Sequence, residues 1–239
     1  MHILVTRPIA QALTTKQRLE AFGHEVSLAP MLEIVFPVCP DIDPDVYQAI
    51  AVTSANAIDG LLQRPDIEGL RALPLFAVGD NTAQRAEWFG WESVRSAAGN
   101  ADDLARLIAS TVSGDKGRVL YAAGSERTGD LEGKLEAGGF MVDVAEVYQA
   151  RPVERLPEAI VEMLQGGQVD AVFVYSARSA QIFLDCIREL GMLEALADTR
   201  VCTLSEAIAA PFRQAGFDDL TIAHEPNEIS LFKLLQLQG

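Results

Sequence analysis

The sequence predicts an α/β protein with two doubly wound domains, each built on a parallel sheet. Two observations lead to this fold class. A series of strand and helix blocks occurs twice in the same order, and helical stretches such as "TTKQRLEAFGHE" end at a Gly shortly before the next apolar strand. With 239 residues, the chain is long enough for two domains that each bury a core.

The repeat begins with the first strand and helix. The opening stretch "HILVTRPIAQALTTKQRLEAFGHEVSL" is matched near the middle of the chain by "RVLYAAGSERTGDLEGKLEAGGFMVDV", with Leu4 on Leu120, 116 positions later (120 − 4). "AIAVTSANAIDGLL" is then matched by "AVFVYSARSAQIFL", and a third pair of blocks sets Gly90 on Gly216, 126 positions later (216 − 90). Three blocks in one order indicate a duplication, the alternative being two unrelated α/β domains with similar helix ends.

Apolar runs predict ten strands, five in each set of blocks. A helical pattern or a linker follows each run, so the strands are expected to be parallel and covered by helices on both faces, in flavodoxin- or Rossmann-like domains. The expected strands are residues 2–6, 25–29, 50–53, 75–78, 93–96, 118–122, 141–147, 171–175, 201–204 and 220–223.

Prolines cluster after the first block and again after its repeat, which predicts linkers near residues 35–45 and 149–157. The second set of blocks begins after only a short turn, "SGDKG". The linkers therefore fall inside the copies, and we expect the chain to change domain at both of them. The prolines concerned are Pro37, Pro40, Pro44, Pro152 and Pro157.

This division gives a discontinuous domain, residues 1–36 plus 153–239, and a continuous one, residues 37–152. In this arrangement the carboxyl ends of both sheets are expected to face a shared cleft, which is the usual ligand position in open α/β sheets. Two simple tandem domains are the alternative.

Composition and charge argue against several classes of function. The net charge of −15 and the lack of a run of Lys or Arg argue against nucleic acid as a partner. No apolar run approaches the ~20 residues of a membrane span, and no export signal is recognisable, so we expect no membrane partner and a cytoplasmic location. The three Cys form no C-x-x-C pair, which fits a reducing compartment.

The motifs predict neither a cofactor nor a metal. No G-x-G-x-x-G follows a strand, and "GSERTG" lacks the Lys of a phosphate-binding loop. The three His residues, His2, His24 and His224, stand alone without the spacing of metal ligands. A G-x-S-x-G elbow, typical of many hydrolases, is also missing.

Polar turns follow five of the predicted strands and are candidates for a binding site. Each can simply cap the next helix with a Ser, Thr or Asn side chain. Gathered together, the turns would also offer free backbone N–H groups that bind carboxylates or phosphates. They are "TRP" from Thr6, "TSAN" from Thr53, "VGDNT" from Val78, "AGSER" from Ala123 and "YSARS" from Tyr175.

Six motifs carry a family resemblance: "VTRP", "LxxxGHEVxxxPMLEI", "AVTSANAI", "FAVGDNTA", "AEVYQA" and "VYSARSA". In this order and spacing they resemble the uroporphyrinogen-III synthase family across essentially the entire chain. The resemblance implies two α/β domains joined by a two-stranded crossing linker, and a cofactor-independent cyclising lyase of tetrapyrrole (haem) biosynthesis. Its substrate would be linear hydroxymethylbilane, which loses water and closes with inversion of ring D. A monomer is expected, and a transient contact with the preceding pathway enzyme is left open.

The resemblance also assigns roles to residues. It implies that Tyr148, in "VYQ", donates a proton to the departing hydroxyl, the alternative being a Tyr that only packs at the hinge. Selectivity would then come mainly from holding the flexible substrate in one shape. The expected substrate-binding residues are Arg7, Thr53, Ser54, Asn56, Gly79, Thr82, Gly124, Ser125, Arg127, Ser176, Arg178 and Ser179.

One stretch departs from the family pattern. Where the family often has a second "GPTTA" turn, this chain reads "LSEAIA", with Glu206 and Ile208 in place of small polar residues. The departure keeps open a non-catalytic or degenerate two-lobed binder of a tetrapyrrole or another polyanion. A two-lobed glycosyltransferase is a further alternative, but it would need a nucleotide-phosphate site.

Overall fold

The computed structural model describes residues 1–112, 117–127, 129–218 and 220–236. The chain forms two compact units, unit 1 of Met1–Glu33 and Arg151–Gly239 and unit 2 of Ile34–Ala150. That each unit is an independently folding domain is a proposal. The turn "SGDKG" lies almost entirely outside the described residues.

Strands and helices alternate through most of the chain. The strands are β1 (His2–Val5), β2 (Glu25–Leu28), β3 (Leu32–Val35), β4 (Tyr47–Val52), β5 (Leu75–Ala77), β6 (Val94–Ser96), β7 (Arg118–Gly124), β8 (Met141–Pro152), β9 (Ala171–Val174), β10 (Arg200–Thr203) and β11 (Leu220–Ile222). The helices are α1 (Ile9–Ala21), α2 (Ala55–Leu62), α3 (Ile67–Arg71), α4 (Asp80–Trp88), α5 (Ala101–Thr111), α6 (Leu131–Ala137), α7 (Glu158–Gln165), α8 (Ala177–Glu189), α9 (Glu206–Gln214) and α10 (Glu228–Gln236), with 3-10 turns at Pro44–Val46 and Leu193–Leu196.

Unit 1 holds a five-stranded parallel sheet in the order β2-β1-β9-β10-β11. Its strands are buried on both faces because side chains alternate along each strand. Ile3 and Val5 pack with α1 and α10, whereas Leu4 packs with α7, α8 and α9 on the opposite face. The predicted doubly wound architecture is confirmed for this unit.

Unit 2 holds a six-stranded sheet in the order β3-β8-β7-β4-β5-β6. Ala49 and Ala51 pack with α5 and α6, and Ile50 and Val52 pack with α2, α3 and α4. Without β3, the order has the same pattern as the sheet of unit 1, since β8, β7, β4, β5 and β6 take the places of β2, β1, β9, β10 and β11.

Strand register confirms the duplication. His2 stands opposite Glu25 in unit 1, and Arg118 stands opposite Met141 in unit 2. Both residues of the second pair lie 116 positions after their counterparts (118 − 2 = 141 − 25), as the sequence repeat requires. The alignment of the first block therefore holds for its two strands, and its two helices end at aligned residues, Ala21 and Ala137.

The two segments predicted as proline-rich linkers are partly regular strand. Leu32–Val35 form the unpredicted strand β3, and β8 continues to Pro152, five residues beyond its predicted end (152 − 147). The two strands are neighbours at the edge of the six-stranded sheet, and each runs through one unit boundary. They are the two strands of the crossing linker.

The stretch between β3 and β4 is fixed to unit 2 by a buried ion pair. Arg64 bonds Asp66 at 2.6 Å. Its guanidinium also donates to the Pro40 carbonyl at 2.8 Å, and the Asp66 carboxylate accepts the Ile42 N–H at 2.8 Å. The prolines therefore interrupt regular structure here, but the segment has defined hydrogen bonds to the body of the unit.

Candidate functional site

Open α/β sheets bind ligands outside the carboxyl ends of their strands, where the strand order changes direction. This switch point lies between β1 and β9 in unit 1 and between β4 and β7 in unit 2. Arg7 and Ser176 follow the two strands of unit 1, and Thr53 and Ser125 follow those of unit 2. The predicted turns therefore form one cluster in each unit.

Tyr148 lies on β8 of unit 2, beside the end of β7 that forms the switch point. Gly124 stands opposite it across the β7–β8 pair, and a Cβ on Gly124 would lie 2.7 Å from Cζ of the Tyr148 ring. The N–H of Ser125 donates to the Tyr148 carbonyl at 3.1 Å. The glycine therefore leaves the space in which the ring is seated.

A second tyrosine of unit 2 was not predicted. The hydroxyl of Tyr121, on β7, lies 3.2 Å from Oγ1 of Thr53. Its side chain is almost fully buried, and this burial raises the pKa of Tyr121 above its ordinary value. Tyr121 therefore stays protonated at neutral pH and fixes the Thr53 hydroxyl.

The remaining predicted residues of this cluster include helix caps. Ser54 caps α2 by accepting the N–H of Asn56 at 3.2 Å. Gly79 precedes α4 with open space at its Cβ position, and Thr82 is buried in the first turn of that helix. Ser54 therefore has the capping role, whereas Gly79 leaves its turn accessible.

Arg127 is held by acidic side chains of its own unit. It bonds Glu132 and Glu146, each at 3.2 Å. It also donates to the Gly124 carbonyl at 3.4 Å, so it lies beside the turn predicted to bind substrate. Its charge is balanced locally before any ligand binds.

At the switch point of unit 1, Arg7 lies above the ring of Tyr175, with the guanidinium carbon 4.3 Å from the ring centre. Nη1 of Arg7 donates to Oε1 of Glu228 at 2.9 Å and to Thr15 at 3.2 Å. The Tyr175 hydroxyl also reaches Glu228, at 3.4 Å. Burial, and then the charge of Glu228, raise the pKa of Tyr175 well above its ordinary value.

The second turn of unit 1 caps α8. Ser176 accepts the N–H of Ser179 at 3.0 Å and donates its hydroxyl to Oγ of Ser179 at 2.9 Å. Arg178 is the second residue of the helix and is half-buried. The capping interpretation therefore applies to Ser176, and Ser179 supplies the N–H that is capped.

The divergent "LSEAIA" turn precedes and begins α9. Glu206 is the first residue of that helix and bonds Arg213, which lowers the pKa of Glu206. Its counterpart in unit 2 is Asp80, 126 positions earlier (206 − 80), which also begins a helix. Both turns therefore carry an acid. Ile208 packs on the core where unit 2 has Thr82, and Ser205 and Ala207 stand where unit 2 has Gly79 and Asn81.

Sequence reasoning missed Tyr121, Tyr175 and Glu228 as members of these clusters. Tyr175 begins the turn "YSARS", of which only the two serines and the arginine are predicted to bind substrate. Tyr121 lies inside a strand. Glu228 is 221 positions from Arg7. The aligned repeats could have identified Glu228, because Arg18 and Glu228 have the same charges as Lys134 and Asp102 at the equivalent positions of the other half.

Other features lie away from the clusters. A hollow of about 740 Å³ in unit 1 is lined by Met1, Asp170 and Asp218, which precede strands and therefore lie at the amino ends of the sheet. Within the described residues, no helix combines the length and apolar character that a membrane span requires. The same residues include no group of three His, Cys, Asp or Glu side chains arranged for a metal ion.

Comparisons with known proteins agree on one family. A family model described as uroporphyrinogen-III synthase HemD matches residues 14–233. A protein of Chlorobaculum parvum named uroporphyrinogen-III synthase is 28% identical over 196 residues, covering 77% of this chain and 78% of that protein.

Two solved structures have a similar fold. The crystal structure of uroporphyrinogen-III synthetase from Helicobacter pylori 26695 has a TM-score of 0.68 at 19% identity and covers 99% of both chains. A mutant uroporphyrinogen III synthase from the extremely thermophilic bacterium Thermus thermophilus has a TM-score of 0.51 at 17% identity, over 100% of this chain and 97% of that one. At these identities the likeness concerns the fold.

Proposed function

The chain belongs to the uroporphyrinogen-III synthase family, and from this premise we propose that the turns at the two switch points bind its substrate. The chain is an enzyme of tetrapyrrole biosynthesis, a cyclising lyase. The family substrate is hydroxymethylbilane, which loses water, inverts ring D and closes to uroporphyrinogen III. A non-catalytic binder is not favoured by these relationships.

The close packing of the Tyr148 ring against Gly124 is the observation that carries the proposal. It sets a phenol at the carboxyl end of β7, the strand that also carries Tyr121 of the Thr53–Tyr121 pair. A phenol is protonated at neutral pH and can donate a proton to a departing hydroxyl. We assign this role to Tyr148, with the nearby N–H groups of the turns binding substrate.

The substrate is flexible and carries carboxylates, so holding it in one shape is the main task of the protein. Fixed donors at helix N-termini and Arg side chains can bind carboxylates despite a net charge of −15 on the chain. Binding at several turns restricts the substrate to a conformation in which ring D reacts at its substituted carbon. The proposed contacts are the twelve predicted substrate-binding residues, from Arg7 to Ser179.

An isomer assay tests the proposal. Hydroxymethylbilane is generated in situ, the purified protein is added, and the oxidised products are separated into type I and type III isomers. We expect an excess of type III that rises with protein concentration and survives a chelator. Type I product alone, from a folded sample, would overturn the proposed function.

The proposal includes the cellular setting. We place the enzyme in the cytoplasm as a monomer that meets the preceding enzyme of the pathway transiently, because the substrate is reactive and closes spontaneously to the wrong isomer. Fractionation of cells, sedimentation of the purified chain and crosslinking to the preceding enzyme test these three statements separately.

A further inference from the structure

The two carboxylate oxygens of Glu228 bond different partners in unit 1. Oε2 bonds Arg18 of α1 at 2.7 Å. Oε1 accepts from Arg7 and Thr15, and the Tyr175 hydroxyl donates to it at 3.4 Å. The side chain is 15% exposed, so both oxygens are largely removed from water.

The bond to Arg18 belongs to the duplicated scaffold. In unit 2, Lys134 of α6 bonds Asp102 of α5 at 2.7 Å. Lys134 lies 116 positions after Arg18 (134 − 18), and Asp102 lies 126 positions before Glu228 (228 − 102), which are the spacings of the repeat. Each half therefore joins the same two helices by one ion pair.

The contacts of Oε1 have no counterpart in unit 2. The residues 116 positions after Arg7 and Thr15 are Ala123 and Leu131, which cannot donate from a side chain. If Glu228 served only to join two helices, the partners at its other oxygen would be unnecessary. These partners lie at the switch point, where the substrate is proposed to bind.

The guanidinium of Arg7 is held along one edge and loosely covered along the other. Nη1 faces Glu228 and Thr15, and the ring of Tyr175 supports the guanidinium plane. Along the other edge, Nε and Nη2 donate to Oε1 of Gln11 at 3.3 and 3.1 Å, in an exposed contact with a neutral amide. Two parallel N–H groups of this kind match the two oxygens of a carboxylate.

We propose that Glu228 is a positioning residue that holds Arg7 so that its Nε and Nη2 edge receives a carboxylate of the substrate, displacing the Gln11 amide. The inference rests on the proposed function and adds one defined carboxylate subsite to it. A carboxylate replaces the amide because its bonds to guanidinium are charge-assisted. With one carboxylate between two arginines, the cluster also keeps a net positive charge.

The first test compares Glu228→Gln with Asp102→Asn. Both substitutions remove one charge from the equivalent helix pair, and the second is the matched control in unit 2. We expect Glu228→Gln to raise the KM for type III formation about 5- to 10-fold, with kcat within about 2-fold. Asp102→Asn should leave KM unchanged and should lower the melting temperature less than Glu228→Gln does, because the Asp102 side chain is 64% exposed and that of Glu228 only 15%. Equal effects of the two variants on KM overturn the proposal.

The second test leaves Glu228 in place. Gln11→Glu puts an internal carboxylate on the free edge of Arg7, where it competes with substrate, and we expect KM to rise about 10-fold. Gln17→Glu, on the exposed surface of the same helix, adds the same charge as a control and should leave KM unchanged. If Gln11→Glu behaves like Gln17→Glu, the proposal is wrong, even where Glu228→Gln fails to fold.

Different results overturn the proposed function and the carboxylate subsite. A wild-type protein that forms no type III excess overturns the proposed function. If the wild-type protein forms type III but the two variants of either pair have the same KM, the carboxylate subsite alone is overturned. Glu228→Asp, which keeps the charge on a shorter side chain, should recover part of the lost affinity.

Discussion

At the switch point of unit 1 a guanidinium meets a carboxylate, whereas the switch point of unit 2 carries hydroxyl groups, with Thr53 bonded to Tyr121 and the Tyr148 ring packed against Gly124. Arg7 and Glu228 form the first cluster, and Thr53, Tyr121 and Tyr148 form the second. Both clusters stand on the same strand order and register. The comparison teaches that the duplicated scaffold determined where a site can form, and that the turns determined its chemistry.

The largest effect is expected from Gly124→Ala. The new Cβ would lie 2.7 Å from the Tyr148 ring, which has to move, so we expect kcat/KM for type III to fall about 100-fold. Gly138→Ala is the control, since it adds the same methyl group to unit 2 at the end of α6, with the nearest atom 3.2 Å away. Equal activity of the two variants would show that the hydroxyl cluster does not need the ring in this position.

Tyr148→Phe separates the hydroxyl from the ring. Removal of a proton donor should lower kcat about 10-fold or more, with little change in stability. Tyr47→Phe is the matched control, because its hydroxyl bonds Asp143 at 3.1 Å at the other end of β4, and kcat should stay as in the wild type. An unchanged kcat in Tyr148→Phe would show that Tyr148 has only a structural role.

Asp66→Asn tests the Arg64–Asp66 ion pair of unit 2, which follows the end of α2 at Leu62, whereas α8 of unit 1 continues to Glu189. The buried guanidinium of Arg64 would lose its charged partner, so we expect unit 2 to lose about 3 kcal/mol of stability. Both Trp residues, Trp88 and Trp91, belong to unit 2, so Trp fluorescence in a urea titration reports this unit. Loss of ellipticity without an earlier fluorescence change would place the damage elsewhere.

The same ion pair predicts a pH dependence. Burial alone would raise the pKa of Asp66, but the hydrogen bonds from Arg64 and the Ile42 N–H lower it below the ordinary value. A carboxyl with a lowered pKa in the folded state stabilises above its unfolded pKa and loses this contribution as the pH falls through the folded value. Wild-type stability should therefore fall more steeply than that of Asp66→Asn below about pH 4. Parallel curves would contradict the assignment.

The smallest effects are expected from exchanging one position between the halves. Thr82→Ile should raise KM about 3-fold, because it removes a hydroxyl from the turn of unit 2. Ile208→Thr should cost unit 1 about 1 kcal/mol through lost apolar contact, with KM unchanged. If Ile208→Thr instead improved KM, the divergent turn of unit 1 would be part of the binding site.

Most of the fold could be predicted because the strands are apolar and the helices end at glycines. β3 could not, since Pro30 precedes it and three prolines follow it, which is the pattern of a linker. The counterpart of Pro30 in unit 2 is Glu146, 116 positions later (146 − 30), and there β8 continues as one strand with a shift of register between Glu146 and Tyr148. The strand is thus divided in one half and continuous in the other, which a local pattern cannot reveal.

The turns of the site could be predicted from strand ends, but the partners of their side chains could not. Arg7 and Arg127 were both selected as cations for substrate, and both bond carboxylates of their own unit. Such pairing depends on long-range packing, since Glu228 comes from the last helix. Polar residues at strand ends show where a ligand could bind. Which of these residues already bond to other side chains depends on the tertiary structure.

The crossing of the chain between the units has a consequence for its synthesis on the ribosome. β1 is an inner strand of its sheet, yet its partner β9 emerges ~140 residues after β2, a delay of ~7–28 s at ~5–20 residues per second. Unit 2 is continuous and is synthesised within this interval, while β1 has one unpaired edge. The nascent N-terminal segment therefore exposes an unpaired strand edge until β9 has been synthesised, and such an edge can pair with other chains.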